Sequence, residues 1–205
     1  MALSVDSFPN LMTCNYENIR QQIKSGDILL AAGSSVVAQL IQHVTKSIWS
    51  HVAFILRVDA IDRIMVLESV ESIGVRTVPL SSYINDYNGT GRGYPGKLLI
   101  ARHEQFDQAT INSLSQSAVD LFGYPYSSAD IVRITARIAM QALGLTKDHP
   151  LIQANKAFIC SEYVYECYKS VGITIEYNQE GFIAPADYAR SSHITAICAV
   201  LAQQS

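Results

Sequence analysis

The sequence predicts an α+β fold with a largely antiparallel central sheet. Patterns typical of strands cluster in the middle third of the chain, and patterns typical of helices lie before and after them. The two kinds of element do not alternate strictly, as they would in a parallel α/β sheet. Hydrophobic residues make up 49% of the 205 residues and charged residues only 16%, so the chain can bury a substantial core. We therefore expect a single domain over residues 1–205.

The composition argues against several classes of function. The formal net charge is −3 and there is no basic run, so electrostatic binding of nucleic acid is not expected. No apolar stretch approaches the roughly 18–20 residues that a membrane span needs. Residues 1–18 lack the charged and apolar regions of a signal peptide. We expect a cytoplasmic protein without a transmembrane segment.

The first fifty residues predict two helices around a buried strand. Residues 1–14 are expected to form an irregular arm, and apolar side chains between Tyr16 and Ile23 indicate a short helix. Residues 28–31 form an apolar run typical of a buried strand. A second helix follows from the helical spacing of four apolar side chains, Val37, Leu40, Ile41 and Val44.

The middle of the chain predicts a β-hairpin, with strands at residues 51–58 and 64–68 and a turn at 59–62. Pairing Val58 with Arg63 places His51 one diagonal step from Glu68 on the same face of the sheet. Side chains in that relation lie within reach of each other. A third strand is expected at residues 73–78, followed by a helical turn at 81–86.

Residues 88–96 are rich in glycine and predict a flexible surface loop. The loop lacks the strand-to-helix setting and the closing GK[ST] of a phosphate-binding loop, so no nucleotide site is expected there.

The second half of the chain predicts more helices than strands. A strand is expected at residues 98–102, and Asp107 is expected to cap a helix that Gly123 ends. Ser128 is expected to cap a longer helix that runs to Leu143. A short strand is predicted at residues 172–177, a loop at 181–187, and a strand or buried tail at 194–201.

Cys160 stands at the start of a helical pattern. Apolar and aromatic side chains follow it at helical spacing, at Val164, Cys167, Tyr168 and Val171, and Gly172 ends the pattern. A helix N-terminus stabilises a thiolate, because unpaired N–H groups and the positive end of the helix dipole face it. The alternative is that Cys160 is a small buried hydrophobic residue, as most free cysteines are. The four cysteines form no CxxC pair, so we expect neither a metal site nor a disulfide framework.

His51 and Glu68 supply what a reactive cysteine requires. A catalytic thiol needs a base, and the base needs a group that orients it. Of the five histidines, only His51 opens a strand pattern, and Glu68 ends an otherwise apolar face on which a carboxylate requires a partner. Considered separately, His51 is more simply interpreted as a half-buried histidine, and Glu68 as a solvated carboxylate. Together with Cys160, the three residues fill the roles of nucleophile, base and orienting group.

Several short motifs occur in an order that resembles a known family. They are Gly26-Asp27-Ile28, Ser50-His51-Val52, Leu67-Glu68, Gly123-x-x-Tyr126, Cys160-Ser161-Glu162 and Pro185-Ala186-Asp187. Their order resembles that of the circularly permuted NlpC-type papain-like cysteine hydrolases, the branch related to the lecithin–retinol acyltransferase-like enzymes. In that branch His and Glu precede the nucleophilic Cys. The resemblance spans roughly residues 24 to 190.

The resemblance implies a papain-like fold and a Cys-His-Glu triad. By this likeness Cys160 is the nucleophile, His51 the base and Glu68 the orienting group, and Tyr126 lies near the site as a donor to an oxyanion. Asp27 either helps to hold the site or caps a turn, and residues 129–157 form an insertion. The implied activity is cleavage of an amide or ester through a thioester, in a peptide, a cell-wall-type peptide or a lipid, without a cofactor or metal.

Two other functions fit the same residues. The fold could hold a small amide or lipid as a binding module without turnover, and Cys160 would then react as an ordinary thiol. Cys160 could also be a core residue of a structural protein, and its replacement by Ala would then lower stability. In an enzyme the same replacement often raises stability.

Overall fold

The computed structural model describes residues 12–129, 134, 157–176 and 182–202. Seven strands form one sheet in the spatial order β1-β7-β6-β2-β3-β4-β5. Their bounds are Thr13–Cys14 (β1), Asp27–Ala32 (β2), His51–Val58 (β3), Arg63–Val70 (β4), Gly74–Pro79 (β5), Lys97–His103 (β6) and Ile194–Val200 (β7). β1 pairs with β7 in parallel, and the other neighbouring strands pair antiparallel. The predicted α+β fold with a largely antiparallel sheet is confirmed.

The helices pack on this sheet. Their bounds are Tyr16–Ile19 (α1), Val36–Thr45 (α2), Leu80–Asn85 (α3), Gln108–Asp120 (α4), Cys160–Ser170 (α5) and Pro185–Arg190 (α6), with 3-10 turns at Asp59–Ile61 and Tyr87–Gly89. Asp107 caps α4 as predicted, because its carboxylate accepts the Thr110 N–H at 2.7 Å. Within the described residues, no helix combines the length and apolarity that crossing a membrane requires.

The β3–β4 hairpin has the register that the sequence predicts. Val58 pairs with Arg63, and the ladder continues to Phe54 opposite Leu67. Because side chains alternate between the two faces of a sheet, the buried apolar side chains of the hairpin form two sets, one on each face of the sheet. One face packs against α1 and α3, and the other packs against α4 and α5. Core side chains therefore cover both faces of the hairpin.

The N-terminal arm differs from the prediction. Thr13 and Cys14 form β1 beside β7, and Cys14 is disulfide-bonded to Cys198 with a Cα–Cα distance of 6.1 Å. The prediction of an irregular arm is therefore wrong for these residues, and so is the expectation of no disulfide. The two cysteines are 184 positions apart and share no local pattern, so only the pairing of β1 with β7 brings them together.

Two other predictions also need correction. Residues 172–176 form no strand, and a helix, α6, occupies part of the predicted 181–187 loop. The predicted 88–96 loop is largely exposed, but it carries a buried side chain, Tyr94, which is 8% exposed. Most of the helix predicted from Ser128 to Leu143, and most of the predicted 129–157 insertion, lie outside the described residues and stay predictions.

Candidate active site

A cleft with a volume of about 370 Å³ lies where β3 begins and α5 begins. His51 is the first residue of β3 and Cys160 is the first residue of α5, and both side chains line this cleft. Two residues separated by more than a hundred positions are thus brought together at one end of the sheet.

His51 and Glu68 form the pair that the hairpin register predicts. The imidazole Nε2 of His51 lies 2.7 Å from Oε2 of Glu68. The Glu68 side chain is fully buried and that of His51 is 18% exposed. The carboxylate therefore fixes the orientation of the ring, while the ring stays accessible from the cleft.

The electrostatics of His51 link it to Cys160. Burial alone would lower the pKa of His51, because it disfavours the charged ring. The charge of Cys160 and a hydrogen bond to its side chain act in the opposite direction, as does Glu68, and together they raise the pKa to about 10. The raised pKa favours the protonated form of the ring, which interacts with both the thiol and the carboxylate.

Glu68 has two further partners that the sequence analysis did not identify. Arg76 Nε and Nη2 lie 3.0 Å and 2.9 Å from Oε1, and the Tyr83 hydroxyl donates to Oε2 at 2.5 Å. Burial would raise the pKa of Glu68, but His51, Tyr83 and Arg76 outweigh it and lower that pKa. Glu68 is therefore a carboxylate with donors on both oxygens.

Three hydrogen bonds fix the start of α5 beside the hairpin. The Ser69 hydroxyl, next to Glu68, donates to the Phe158 carbonyl at 2.6 Å, two residues before Cys160. The carboxylate of Glu162 accepts the N–H of Ile159 at 3.1 Å and so caps the helix. The Ser161 hydroxyl donates to the carbonyl of Ile183 at 2.8 Å. The Ser69 bond therefore links the segment just before Cys160 to β4, the strand that carries Glu68.

Tyr126, which the resemblance associates with the site, is a residue of the cleft wall. It lines the cleft with Cys160, and its backbone forms a parallel bridge with Phe158. Burial raises the pKa of Tyr126, and the nearby charges of Cys160 and Glu71 raise it further. The phenol therefore stays protonated at physiological pH and can donate a hydrogen bond.

Tyr94 is a second phenol on the cleft wall, and the sequence analysis missed it. Its ring lies edge-on to that of Tyr87 at 4.8 Å. A Cβ at position 33 would lie only 2.6 Å from the Tyr94 hydroxyl, so the close approach requires Gly33. The one available signal was an aromatic residue among the glycines of the 88–96 loop.

Asp27 is a structural residue of β2 rather than part of the cleft. Its carboxylate accepts from Arg102 at 2.6 and 2.9 Å and from the Lys24 N–H at 2.8 Å. On β2, Ala31 is the partner of His51, so Asp27 lies at the far end of that strand from the site. Of the two roles left open for Asp27, the structure supports the turn cap.

Neither Cys167 nor any histidine of the described residues apart from His51 lines the cleft. Among the described residues, His51 is the only histidine on the cleft that Cys160 lines. Cys167 lies two turns further along α5 and is fully buried, and burial raises its pKa to about 12. Within the same residues, no three His, Cys, Asp or Glu side chains are grouped so that they could hold a metal ion.

Comparisons with known proteins agree with this geometry. The family of permuted papain-like amidase enzymes described as YaeF/YiiX, C92, matches residues 22–132, which is more than half of the chain. The matched stretch contains His51, Glu68 and Tyr126 and ends before Cys160. A search of curated proteins finds no match.

A solved structure shares the fold. The crystal structure of the metalloprotein YiiX from Escherichia coli O157:H7 is 18% identical, has a TM-score of 0.62, and matches over 86% of this chain and 97% of that chain. At this identity the likeness shows the fold alone. Neither comparison names the lecithin–retinol acyltransferase-like branch. The family match shows that the chain belongs to the C92 peptidase family of permuted papain-like amidases, an enzyme family of cysteine hydrolases.

Proposed function

We propose that this protein cleaves an amide or ester bond through a thioester on Cys160, with His51 as the acid and base and Glu68 as its orienting group. The observation that carries the proposal is the shared cleft of Cys160 and His51, together with the 2.7 Å contact from His51 to buried Glu68. The family match supports the class of reaction, and the assignment of the three residues is our own.

The proposed reaction has two halves. The Cys160 thiolate attacks the carbonyl carbon, and His51 then gives its proton to the amine or alcohol that leaves. The acyl group remains on sulfur as a thioester. Neutral His51 next takes a proton from water or another acceptor, which attacks the thioester and releases the acyl product. Cys160 and His51 return to their starting charges.

The negative oxygen that forms in each half needs hydrogen-bond donors. The backbone N–H of Cys160 is one, because the first N–H groups of a helix have no partner within the helix. We assign the Tyr126 hydroxyl as the second. Donors aimed at such an oxygen typically contribute most of the stabilisation of the transition state.

The cleft supports a substrate with both apolar and polar parts. The cleft is lined by the apolar side chains of Val37, Ile41 and Ile73 and by the polar side chains of Arg76 and Asn88. A peptide, a cell-wall-type peptide and a lipid amide or ester all stay within this proposal. The cytoplasmic location that the sequence suggested is not part of it, because the Cys14–Cys198 disulfide is typical of an oxidising compartment.

The similar Escherichia coli structure is described as a metalloprotein. A metal site in this chain would need several ligand side chains grouped together. The part of the chain that the structure describes contains no suitable group of three or more ligands. The side chains of Cys160 and Glu68 each interact with the imidazole of His51. The proposal derives no step through a metal.

A small activated ester tests the reaction without knowledge of the natural substrate. Mixed with p-nitrophenyl acetate, the protein is expected to release p-nitrophenolate and to carry one acetyl group on Cys160, seen by mass spectrometry after an acid quench. Cys160→Ala should abolish both signals. Cys167→Ala, a matched change on the same helix, should leave them intact. Acetylation that survives in Cys160→Ala would refute the proposal.

A further inference from the structure

Glu68 is held in the described structure by donors from three separate elements. His51 approaches from β3, Arg76 from β5 and Tyr83 from α3. Arg76 is directly opposite Glu68 in the β4–β5 ladder, so the two side chains share a face. A buried carboxylate is stable only when its oxygens are paired.

Arg76 reaches the cleft, whereas Glu68 is not among the residues that line it. The carboxylate is fully buried, whereas the Arg76 side chain is 21% exposed and lines the cleft itself. With Cys160 as a thiolate, the contacts join four groups of alternating charge: thiolate, imidazolium, carboxylate and guanidinium. The charges of these four groups sum to zero, and the carboxylate of Glu71 also lines the cleft. Without Arg76, the buried group would carry a net negative charge.

We propose that Arg76 and Tyr83 are positioning residues that keep Glu68 ionised and directed at His51. The inference rests on the proposed function, because it assigns both residues a role through Glu68 rather than through contact with substrate. The simpler alternative is a cross-strand ion pair that only joins β4 to β5. The two differ in whether losing Arg76 or Tyr83 changes the pH dependence of the thiol.

The groups around Glu68 determine in which direction its pKa moves when Arg76 or Tyr83 is replaced. His51, Tyr83 and Arg76 lower the pKa of Glu68, and the phenols of Tyr87 and Tyr94 lie near enough to feel its charge. All three phenols have raised pKa values, each mainly through burial, so they stay neutral while Glu68 titrates. Removing Arg76 or the Tyr83 hydroxyl therefore lets Glu68 take up a proton at higher pH, and His51 then holds the thiolate less firmly.

The test uses alkylation of Cys160 by iodoacetamide, which requires no substrate. The rate is measured from pH 4 to 9 in the native protein and in Arg76→Met, Arg76→Lys and Tyr83→Phe, with the modified residue mapped by mass spectrometry. The acid limb, the part of the pH–rate profile in which alkylation slows as the pH falls, should move to higher pH by about one unit in Arg76→Met. This is in line with the effect of an Arg on the pKa of a neighbouring carboxylate. Tyr83→Phe should move it less, and Arg76→Lys should restore part of the shift because it keeps the charge.

Two controls separate this role from general effects. Arg92→Met also removes one positive charge, at an exposed position, and should leave the acid limb in place. In a Glu68→Gln background, Arg76→Met and Tyr83→Phe should cause no further shift if they act through Glu68. Thermal unfolding checks that each variant is folded.

The outcomes distinguish the two proposals. If native Cys160 reacts selectively and folded Arg76→Met and Tyr83→Phe keep its acid limb, the positioning role is refuted and the proposed function survives. If native Cys160 reacts no faster than Cys167, the proposed function is refuted and this inference with it.

Discussion

His51 carries the proton on which the proposed chemistry depends. Its pKa of about 10 lies above the value of about 6.5 expected for an unfolded chain. The protonated ring therefore contributes stability that is fully present below about pH 6.5 and is lost as the pH rises through about 10. Glu68 behaves in the opposite sense: its lowered pKa contributes stability above the unfolded value, which is lost at acid pH.

The role of Tyr126 can be tested by comparing two reactions of the same thiol. Acylation by p-nitrophenyl acetate forms a negative oxygen, whereas alkylation by iodoacetamide does not. Tyr126→Phe should slow acylation by about 10²–10³-fold, the usual cost of losing one oxyanion donor, and should leave alkylation unchanged. If acylation keeps its rate in Tyr126→Phe and falls in Tyr94→Phe, the donor is Tyr94 and the assignment to Tyr126 is wrong.

The sequence predicted some site residues and missed others for a definite reason. The contact of His51 with Glu68 followed from strand alternation and one hairpin register. Arg76 lay within a predicted strand, but placing it opposite Glu68 requires the register of a second hairpin. The turn at residues 71–73 carries no signal that sets this register. Tyr83 and Tyr94 reach the site only through tertiary packing.

At the scale of the element, Asp27 joins β2 to β6. It pairs with Arg102 across the ladder and caps the turn at Lys24, and its side chain is 1% exposed. Asp27→Ala should lower the free energy of unfolding by about 2–3 kcal/mol, because Arg102 and the Lys24 N–H both lose a charged partner. Urea unfolding measures this loss.

The activity of folded Asp27→Ala checks the structural assignment. Acylation by p-nitrophenyl acetate per folded molecule should match that of the native protein, because Asp27 lies at the opposite end of β2 from His51. A loss of acylation with unchanged stability would instead give Asp27 a role in the site.

The helix α6 shows why an element can be missed although its signals are present. Pro185 is its first residue, and the carboxylate of Asp187 accepts the Ala184 N–H at 2.8 Å. Both are ordinary features of a helix start. The helix has only six residues, too few for an apolar period to appear, so its sequence was interpreted as a loop.

At the scale of the whole molecule, the disulfide closes almost the entire chain into a loop. Cys14 and Cys198 are 184 positions apart, and such a link removes entropy from the unfolded chain worth up to about 5 kcal/mol. Dithiothreitol should therefore lower the melting temperature of the native protein. It should have no such effect on Cys14→Ser, which already lacks the link. Equal melting temperatures of native protein and Cys14→Ser would show that the link contributes nothing to stability.

The fold class was predictable because the spacing of apolar residues and the order of the elements can be seen directly in the sequence. The order His, Glu, Cys carried the permuted papain-like topology, which the family match and the shared fold support. The disulfide was not predictable from spacing, because its two strands meet only after the sheet has formed.

The measurement that tests the central claim most directly is the rate of alkylation of Cys160 by iodoacetamide at pH 6, in the native protein and in His51→Ala. The account predicts that native Cys160 reacts roughly tenfold or more faster than in His51→Ala and faster than buried Cys167, because His51 lies beside Cys160 in the cleft and activates it as a nucleophile. Equal rates in the two proteins, or reaction only above about pH 8 as for an ordinary thiol of pKa about 8.5, would contradict it.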